Sequence, residues 1–142
     1  MNNVQNAIGL DVGTRRIGVA RGDTEVKLAS PLPAIANDDH TMANISQIIR
    51  DQSATIVVVG LPRNNNGDLT KQSQYCLDFA DRLKKTLPDN IMIVMQDESL
   101  TSVAAEVELK QNKHYNDKML RDGTLDSRAA TIILSDYLNS QR

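Results

Sequence analysis

The feature that most constrains the fold is a continuous run of β-branched and apolar residues in the middle of the chain. This run, Thr55-Ile56-Val57-Val58-Val59-Gly60, shows no alternation of polar and apolar residues. A strand of this kind has to be covered on both faces, which is typical of strands with parallel neighbours. A second buried strand is predicted over residues 91–95, and a helix over about 70–86 lies between the two. The sequence therefore predicts an α/β domain with helices packed on a mixed sheet.

The remaining elements follow from shorter patterns. Residues 7–11 and 17–20 predict two strands around a glycine-bearing turn, which together make a hairpin. A third strand is predicted at 26–30 or at 32–36, where two prolines favour an edge position. Apolar residues at helical spacing predict three further helices: one after the N-cap sequence Asn37-Asp38-Asp39, one over about 101–111 and one over about 124–139, with a loop at 110–123. The length of 142 residues predicts a single domain over 1–142.

The charge balance excludes a protein that holds nucleic acid by bulk basic charge. The chain has 16 Lys and Arg against 18 Asp and Glu, a net charge of −2. A polyanionic partner has to be held by a local basic patch or through a bound cation. The N-terminus lacks the pattern of a signal peptide, and no apolar run approaches the roughly 18 residues of a membrane span. With a single cysteine, Cys76, an intrachain disulfide is excluded, so the chain is expected in the cytoplasm and off the membrane.

Three carboxylates occupy positions that solvated acids do not usually take. Alternation along the first strand puts Asp11 on the same face as two very small residues. Asp126 falls on the apolar stripe of the last helix, and Glu98 follows the strand at 91–95. Because ligand sites in open α/β sheets collect at the carboxyl ends of parallel strands, we expect the three side chains to share one crevice.

Each acid alone is also explained by a turn or by a helix N-terminus. Together they need a counter-charge, because two carboxylates about 4 Å apart repel by roughly 4 kcal/mol at an effective dielectric of 20. Oxygen-only ligands favour Mg²⁺ or Mn²⁺, and carboxylates that hold two such ions are the apparatus of phosphodiester hydrolysis. The residues therefore predict a metal-dependent nuclease with Asp11, Glu98 and Asp126 as metal ligands and catalytic groups.

Four blocks of the sequence resemble the YqgF/RuvX family of RNase H-like nucleases, which is related to the RuvC resolvases. The resemblance covers nearly the whole chain, with the blocks in the family's order and spacing. The blocks are Gly9-Leu10-Asp11-Val12-Gly13-Thr14-Arg15-Arg16-Ile17-Gly18-Val19-Ala20, Val58-Val59-Gly60-Leu61-Pro62 with Asn64 and Gly67, Asp97-Glu98-Ser99-Leu100-Thr101-Ser102, and Leu125-Asp126-Ser127-Arg128-Ala129-Ala130.

The resemblance implies an RNase H-like fold with a five-stranded mixed sheet and flanking helices. It carries the family's acidic positions to Asp11, Glu98 and Asp126, with Asp97 as the alternative to Glu98, around two Mg²⁺ or Mn²⁺ ions. It implies processing of the 5′ end of precursor 16S rRNA, with Holliday junction resolution on branched DNA as the alternative. The ribosomal small subunit is a further candidate partner, and both a monomer and a homodimer are compatible with the sequence.

Basic and polar residues near the acids are the candidates for substrate binding. They are Thr14, Arg15, Arg16, Arg63, Asn64 and Arg128, and the loop with Lys110, Lys113, Lys118 and Arg121 is a further candidate. The chain departs from the family at Ser99, where arginine is usual, at Arg63, where an apolar residue is common, and at Arg15, which replaces a frequent lysine.

Two rival interpretations remain. The Asp-Val-Gly-Thr segment also resembles the first phosphate loop of the actin and sugar-kinase ATPases, although those proteins use two such domains. A non-catalytic module that binds nucleic acid or the ribosome is the other rival. The presence of all three acids argues against it, and the change at Ser99 keeps it open.

Overall fold

A five-stranded mixed sheet with helices on both faces forms the protein. The computed structural model describes residues 3–98 and 123–141, and the sheet has the strand order β3-β2-β1-β4-β5. β2 pairs antiparallel with β1 and β3, whereas β4 runs parallel to β1 and β5. In these two ranges the elements are β1 Asn6–Val12, β2 Arg16–Asp23, β3 Ser30–Ala36, α1 Thr41–Gln52, β4 Ala54–Leu61, α2 Lys71–Thr86, β5 Met92–Asp97 and α3 Thr124–Ser140. The predicted α/β class and five-stranded mixed sheet are confirmed.

The strand after the hairpin, β3, contains the second of the two predicted ranges, 32–36. The segment before it is held in a turn, because the Asp23 carboxylate accepts hydrogen bonds from the amides of Glu25 and Val26 at 2.9 and 2.7 Å. Lys27 then adopts a left-handed backbone with φ of 62°. The chain becomes extended only from Ser30, at the edge of the sheet that the prolines predicted.

The start of α1 differs from the prediction. The N-cap residue is His40, which makes no side-chain capping bond, and the helix begins at Thr41. The Asp38 carboxylate accepts from the His40 amide at 2.8 Å, while the Thr41 hydroxyl accepts from the Asp38 amide at 2.7 Å. The polar segment 37–39 therefore forms a turn ahead of the helix and leaves the cap position to its neighbour.

The two faces of the sheet carry different side chains. Large residues such as Ile8, Leu10 and Val57 pack under α1 and α2. The face under α3 is made of small residues in β1 and β2, which lets the helix lie almost on the strands. A Cβ at Gly18 would stand 1.8 Å from the main-chain oxygen of Asp126. This close approach brings Asp126 to the carboxyl end of β1.

Several predicted features lie outside the described residues. They are Ser99, the helix at 101–111, and most of the loop at 110–123 with its lysines and Arg121. Among the helices that the structure does describe, none is long and apolar enough to cross a bilayer.

Candidate functional site

Asp11 lies between two glycines near the carboxyl end of β1. In the antiparallel pairing its partner on β2 is Gly18. On the other side Leu10 pairs with Val59, and continuing this register by one residue places Asp11 beside Gly60 of β4. Since neither neighbour carries a side chain, the sheet surface forms a hollow beside Asp11 on the face that α3 covers. The main chain of Asp126 and the side chains of Ile133 and Glu98 occupy the space over the two glycines.

Two other segments of the chain lie over these glycines. The main chain of Asp126 lies directly over Gly18, as the 1.8 Å distance to a Cβ there shows. Over Gly60 lies the Glu98 carboxylate, whose Oε1 would be 3.0 Å from a Cβ at that position. The structure thus brings β1, the end of β5 and the first turn of α3 together around one glycine-lined hollow.

The charges of two of these acids act on the same buried group. Burial is the main cause that raises the pKa of the Cys76 thiol from 9.0 to about 12, and the negative charges of Asp11 and Glu98 raise it further. A hydrogen bond from Gln72 acts in the opposite direction. Asp11 and Glu98 therefore project their negative potential onto the same end of the sheet.

The Asp126 carboxylate is paired with the guanidinium of Arg16. The Arg16 Nε donates to Asp126 Oδ2 at 3.2 Å, and the two side chains are 41% and 31% exposed. Within residues 3–98 and 123–141, no three carboxylate, imidazole or thiol groups lie together in an arrangement that could hold one ion. The Asp126 carboxylate is thus engaged by Arg16, and among the described residues the three acids do not form a group that could hold an ion.

Asp97, the alternative middle acid, lies away from the hollow. Its β5 neighbours Ile93 and Met95 pack on the α1 and α2 side of the sheet, which alternation assigns to Asp97 as well. The Asp97 carboxylate is 62% exposed and accepts from Arg63 Nε at 3.0 Å. Its position favours Glu98 as the middle acid.

The candidate substrate-binding residues fall into three places. Thr14 and Arg15 are exposed in the turn between β1 and β2, next to the hollow, and Arg16 follows them. Arg63 and Asn64 shape the loop after β4, where Arg63 Nη1 donates to Gly67 O at 3.1 Å and Asn64 Oδ1 accepts from two backbone amides. Arg128 is exposed on α3, in a cavity of about 540 Å³ that faces β3. Arg128 therefore borders the space between α3 and β3.

Three polar side chains that the sequence analysis missed support the turn after Asp11. Asn37 Nδ2 donates to Gly13 O at 2.7 Å and to the Tyr75 hydroxyl at 2.8 Å. Gln72 Nε2 donates to Val12 O at 2.9 Å. These residues come from α2 and from the segment before α1, and each is an ordinary polar residue in its own stretch. No local sequence signal distinguishes them.

The raised pKa of Cys76 gives a pH-dependent prediction. Below about pH 9 both the folded and the unfolded chain keep the thiol proton, so the contribution of Cys76 to the free energy of unfolding is fully present. Between about pH 9 and about pH 12 the unfolded chain loses the proton while the folded protein retains it, so the free energy of unfolding falls as pH rises. Urea unfolding measures this effect. Between about pH 8 and about pH 10, the free energy of unfolding should fall less in Cys76→Ala than in the natural chain. An equal fall in both proteins would contradict the raised pKa of the Cys76 thiol.

The five-stranded mixed sheet with its flanking helices defines an RNase H-like fold. Two solved structures share the fold across nearly their whole length. The fowlpox virus Holliday junction resolvase has a TM-score of 0.58 at 14% identity, covering 96% of this chain and 99% of that one. RuvC of T. thermophilus in complex with Holliday junction substrate has a TM-score of 0.56 at 12% identity, covering 96% and 94%.

The chain belongs to the RuvX family. The family model, described as a Holliday junction resolvase, matches residues 5–140. Relatives named "Putative pre-16S rRNA nuclease" include one from Roseiflexus sp. (strain RS-1), 42% identical over 95% of this chain and 94% of its own length. Another, from Sulfurihydrogenibium sp. (strain YO3AOP1), is 37% identical over 93% and 88%. The predicted family, the RNase H-like fold and the nuclease class are confirmed.

Proposed function

We propose that this protein hydrolyses phosphodiester bonds at the 5′ end of precursor 16S rRNA, with Asp11, Glu98 and Asp126 as its catalytic carboxylates. The observation that carries the proposal is the convergence of β1, the end of β5 and the first turn of α3 on one glycine-lined hollow. The substrate follows the printed name of the relatives, which match over nearly the whole chain.

The donor set of the hollow fits a hard divalent cation. All three candidate ligands are carboxylates, which are the oxygen donors that Mg²⁺ and Mn²⁺ take in proteins. Asp11 and Glu98 already concentrate negative charge at the end of the sheet, as their effect on Cys76 indicates. When bound, Mg²⁺ or Mn²⁺ would supply an activated water and stabilise the leaving oxygen. Two ions are proposed, with the three carboxylates as their protein ligands.

The basic residues around the hollow hold the nucleic acid in this proposal. Arg15 and Arg16 lie in and beside the exposed β1–β2 turn, where the Asn37 and Gln72 hydrogen bonds fix the backbone. Thr14, Arg63, Asn64 and Arg128 are the remaining contacts proposed for the backbone of the substrate. Arg15 and Arg16 at the β1–β2 turn supply local positive charge that the net charge of −2 does not, whereas Arg63 and Arg128 lie at two other places on the surface. The proposal places the protein in the cytoplasm, as a single domain near the small ribosomal subunit.

A second candidate function is cleavage of four-way DNA junctions. The family model is described as a Holliday junction resolvase, and the fowlpox enzyme and RuvC share this fold. A resolvase that cuts two strands symmetrically needs a two-fold dimer, whereas an RNA-end nuclease does not. The solution mass of the active species therefore separates the two candidates.

The test is a cleavage assay that offers precursor rRNA ends and four-way DNA junctions side by side. With Mg²⁺ or Mn²⁺ we expect the natural chain to cut the RNA end, and we expect chelation to stop the reaction. Asp126→Asn should lose at least about 100-fold in rate, because each tenfold corresponds to only about 1.4 kcal/mol and metal-assisted charge stabilisation contributes several. Full activity of this variant, or activity after chelation, would contradict the proposed chemistry.

A further inference from the structure

The Arg16–Asp126 ion pair engages one of the three proposed metal ligands. Arg16 is the first residue of β2, and Asp126 lies in the first turn of α3, so the pair links two elements 110 residues apart. The Arg16 side chain runs beside Gly123, the N-cap of α3, since a Cβ there would be 3.6 Å from Arg16 Cδ and 3.8 Å from Nε. The guanidinium is thereby guided to the Asp126 carboxylate.

This pair changes what Asp126 can do. A carboxylate that is neutralised by a guanidinium offers a divalent cation less charge, and the guanidinium itself repels the cation. In the part of the chain that the structure describes, Asp126 in this pairing does not form a three-ligand group with Asp11 and Glu98. The pair is also partly exposed, and ion pairs of this kind are weak enough to be displaced.

We propose that Arg16 is a positioning residue that exchanges partners. It holds Asp126 until a divalent cation enters the hollow, and the released guanidinium then pairs with a phosphate of the nucleic acid. Arginine suits this exchange because its planar fork matches carboxylate and phosphate groups equally well. The inference rests on the proposed function, and its consequence is that cation and nucleic acid strengthen each other's binding.

The first measurement is the affinity for Mn²⁺ alone, by titration calorimetry without substrate. Arg16→Gln removes the competing guanidinium, and Arg15→Gln removes the same charge from the exposed neighbouring residue. We expect Arg16→Gln to bind Mn²⁺ about threefold to fivefold more tightly than the natural chain, the range that a partly exposed pair allows, and Arg15→Gln to change by less than about twofold. Equal affinities of the two variants, or weaker binding by Arg16→Gln, would overturn the exchange.

The second measurement is the coupling between ligands. A 2′-O-methyl RNA oligonucleotide, which resists cleavage, is titrated with and without Mn²⁺. In the natural chain Mn²⁺ should tighten oligonucleotide binding by at least about fivefold, and in Arg16→Gln by less than about twofold. The same enhancement in both proteins would overturn the exchange.

Different results separate a failure of the metal site from a failure of the partner exchange. If the natural chain binds no Mn²⁺ and behaves like Asp126→Asn, both the proposed metal site and the exchange are overturned. If Asp126→Asn loses Mn²⁺ binding while Arg16→Gln and Arg15→Gln remain alike, only the exchange is overturned.

Discussion

Replacing Asp11 with Asn is expected to lower the cleavage rate at least about 100-fold while leaving the protein as stable as before or more stable. The rate falls because the amide is a poorer ligand for a divalent cation and carries no charge. The stability is kept because the substitution is isosteric and removes one of the charges gathered around Gly18 and Gly60. Single-turnover cleavage and thermal unfolding in the absence of metal measure the two effects.

Asp97→Asn is the matched control for this experiment. It makes the same chemical change close to the site, on a carboxylate that faces the other side of the sheet and pairs with Arg63. Its cleavage rate should stay within about fivefold of the natural chain, since an exposed ion pair contributes only about 0.2–1 kcal/mol. If Asp97→Asn lost as much activity as Asp11→Asn, the choice of Glu98 as the middle acid would be wrong.

Gly18→Ala is expected to be the most damaging single-methyl change near the site. Its new Cβ would meet the main chain of α3, with the Asp126 oxygen at 1.8 Å, and neither the strand nor the helix has a flexible side chain there that could move aside. Overpacking usually costs about 1–3 kcal/mol, and a clash between two backbones belongs at or above the upper end. Urea unfolding should show a loss of about 3 kcal/mol or more.

Gly67→Ala is the control for the glycine substitution. Gly67 has a φ of 82° in the loop after β4, and a Cβ there meets nothing within 4 Å. The cost should be about 1 kcal/mol, from backbone strain alone. A Gly18→Ala variant that is no less stable than Gly67→Ala would mean that α3 does not lie on β2 as described.

The fold was largely predictable because its central elements carry strong local patterns. β4 is a continuous run of β-branched and apolar residues and is largely buried. This pattern alone predicted that helices cover both faces of the strand. The small residues on the Asp11 face of β1 correctly indicated a close helix. The start of α1 was predicted incorrectly, because Asp38 competes for local amides in the turn and leaves His40 at the cap.

The candidate site was only partly predictable. Alternation and helical spacing predicted that three acids would share one crevice. The elements that carry the acids do come together, but among the described residues the acids do not form a group that could hold an ion. Pairing of Arg16 with Asp126 was not predictable, because it depends on the path of one long side chain beside Gly123. The same holds for Asn37 and Gln72, whose partners are backbone carbonyls that any residue carries.

The prolines of β3 limit how a second molecule can be added to this sheet. Pro31 and Pro33 lie in the edge strand, and proline has no N–H to offer an incoming strand. Edge strands with missing donors are poor templates for intermolecular pairing, which guards against aggregation. A dimer built on the β3 side would therefore need side-chain contacts between the two subunits, because a continuous ten-stranded sheet across that edge is disfavoured.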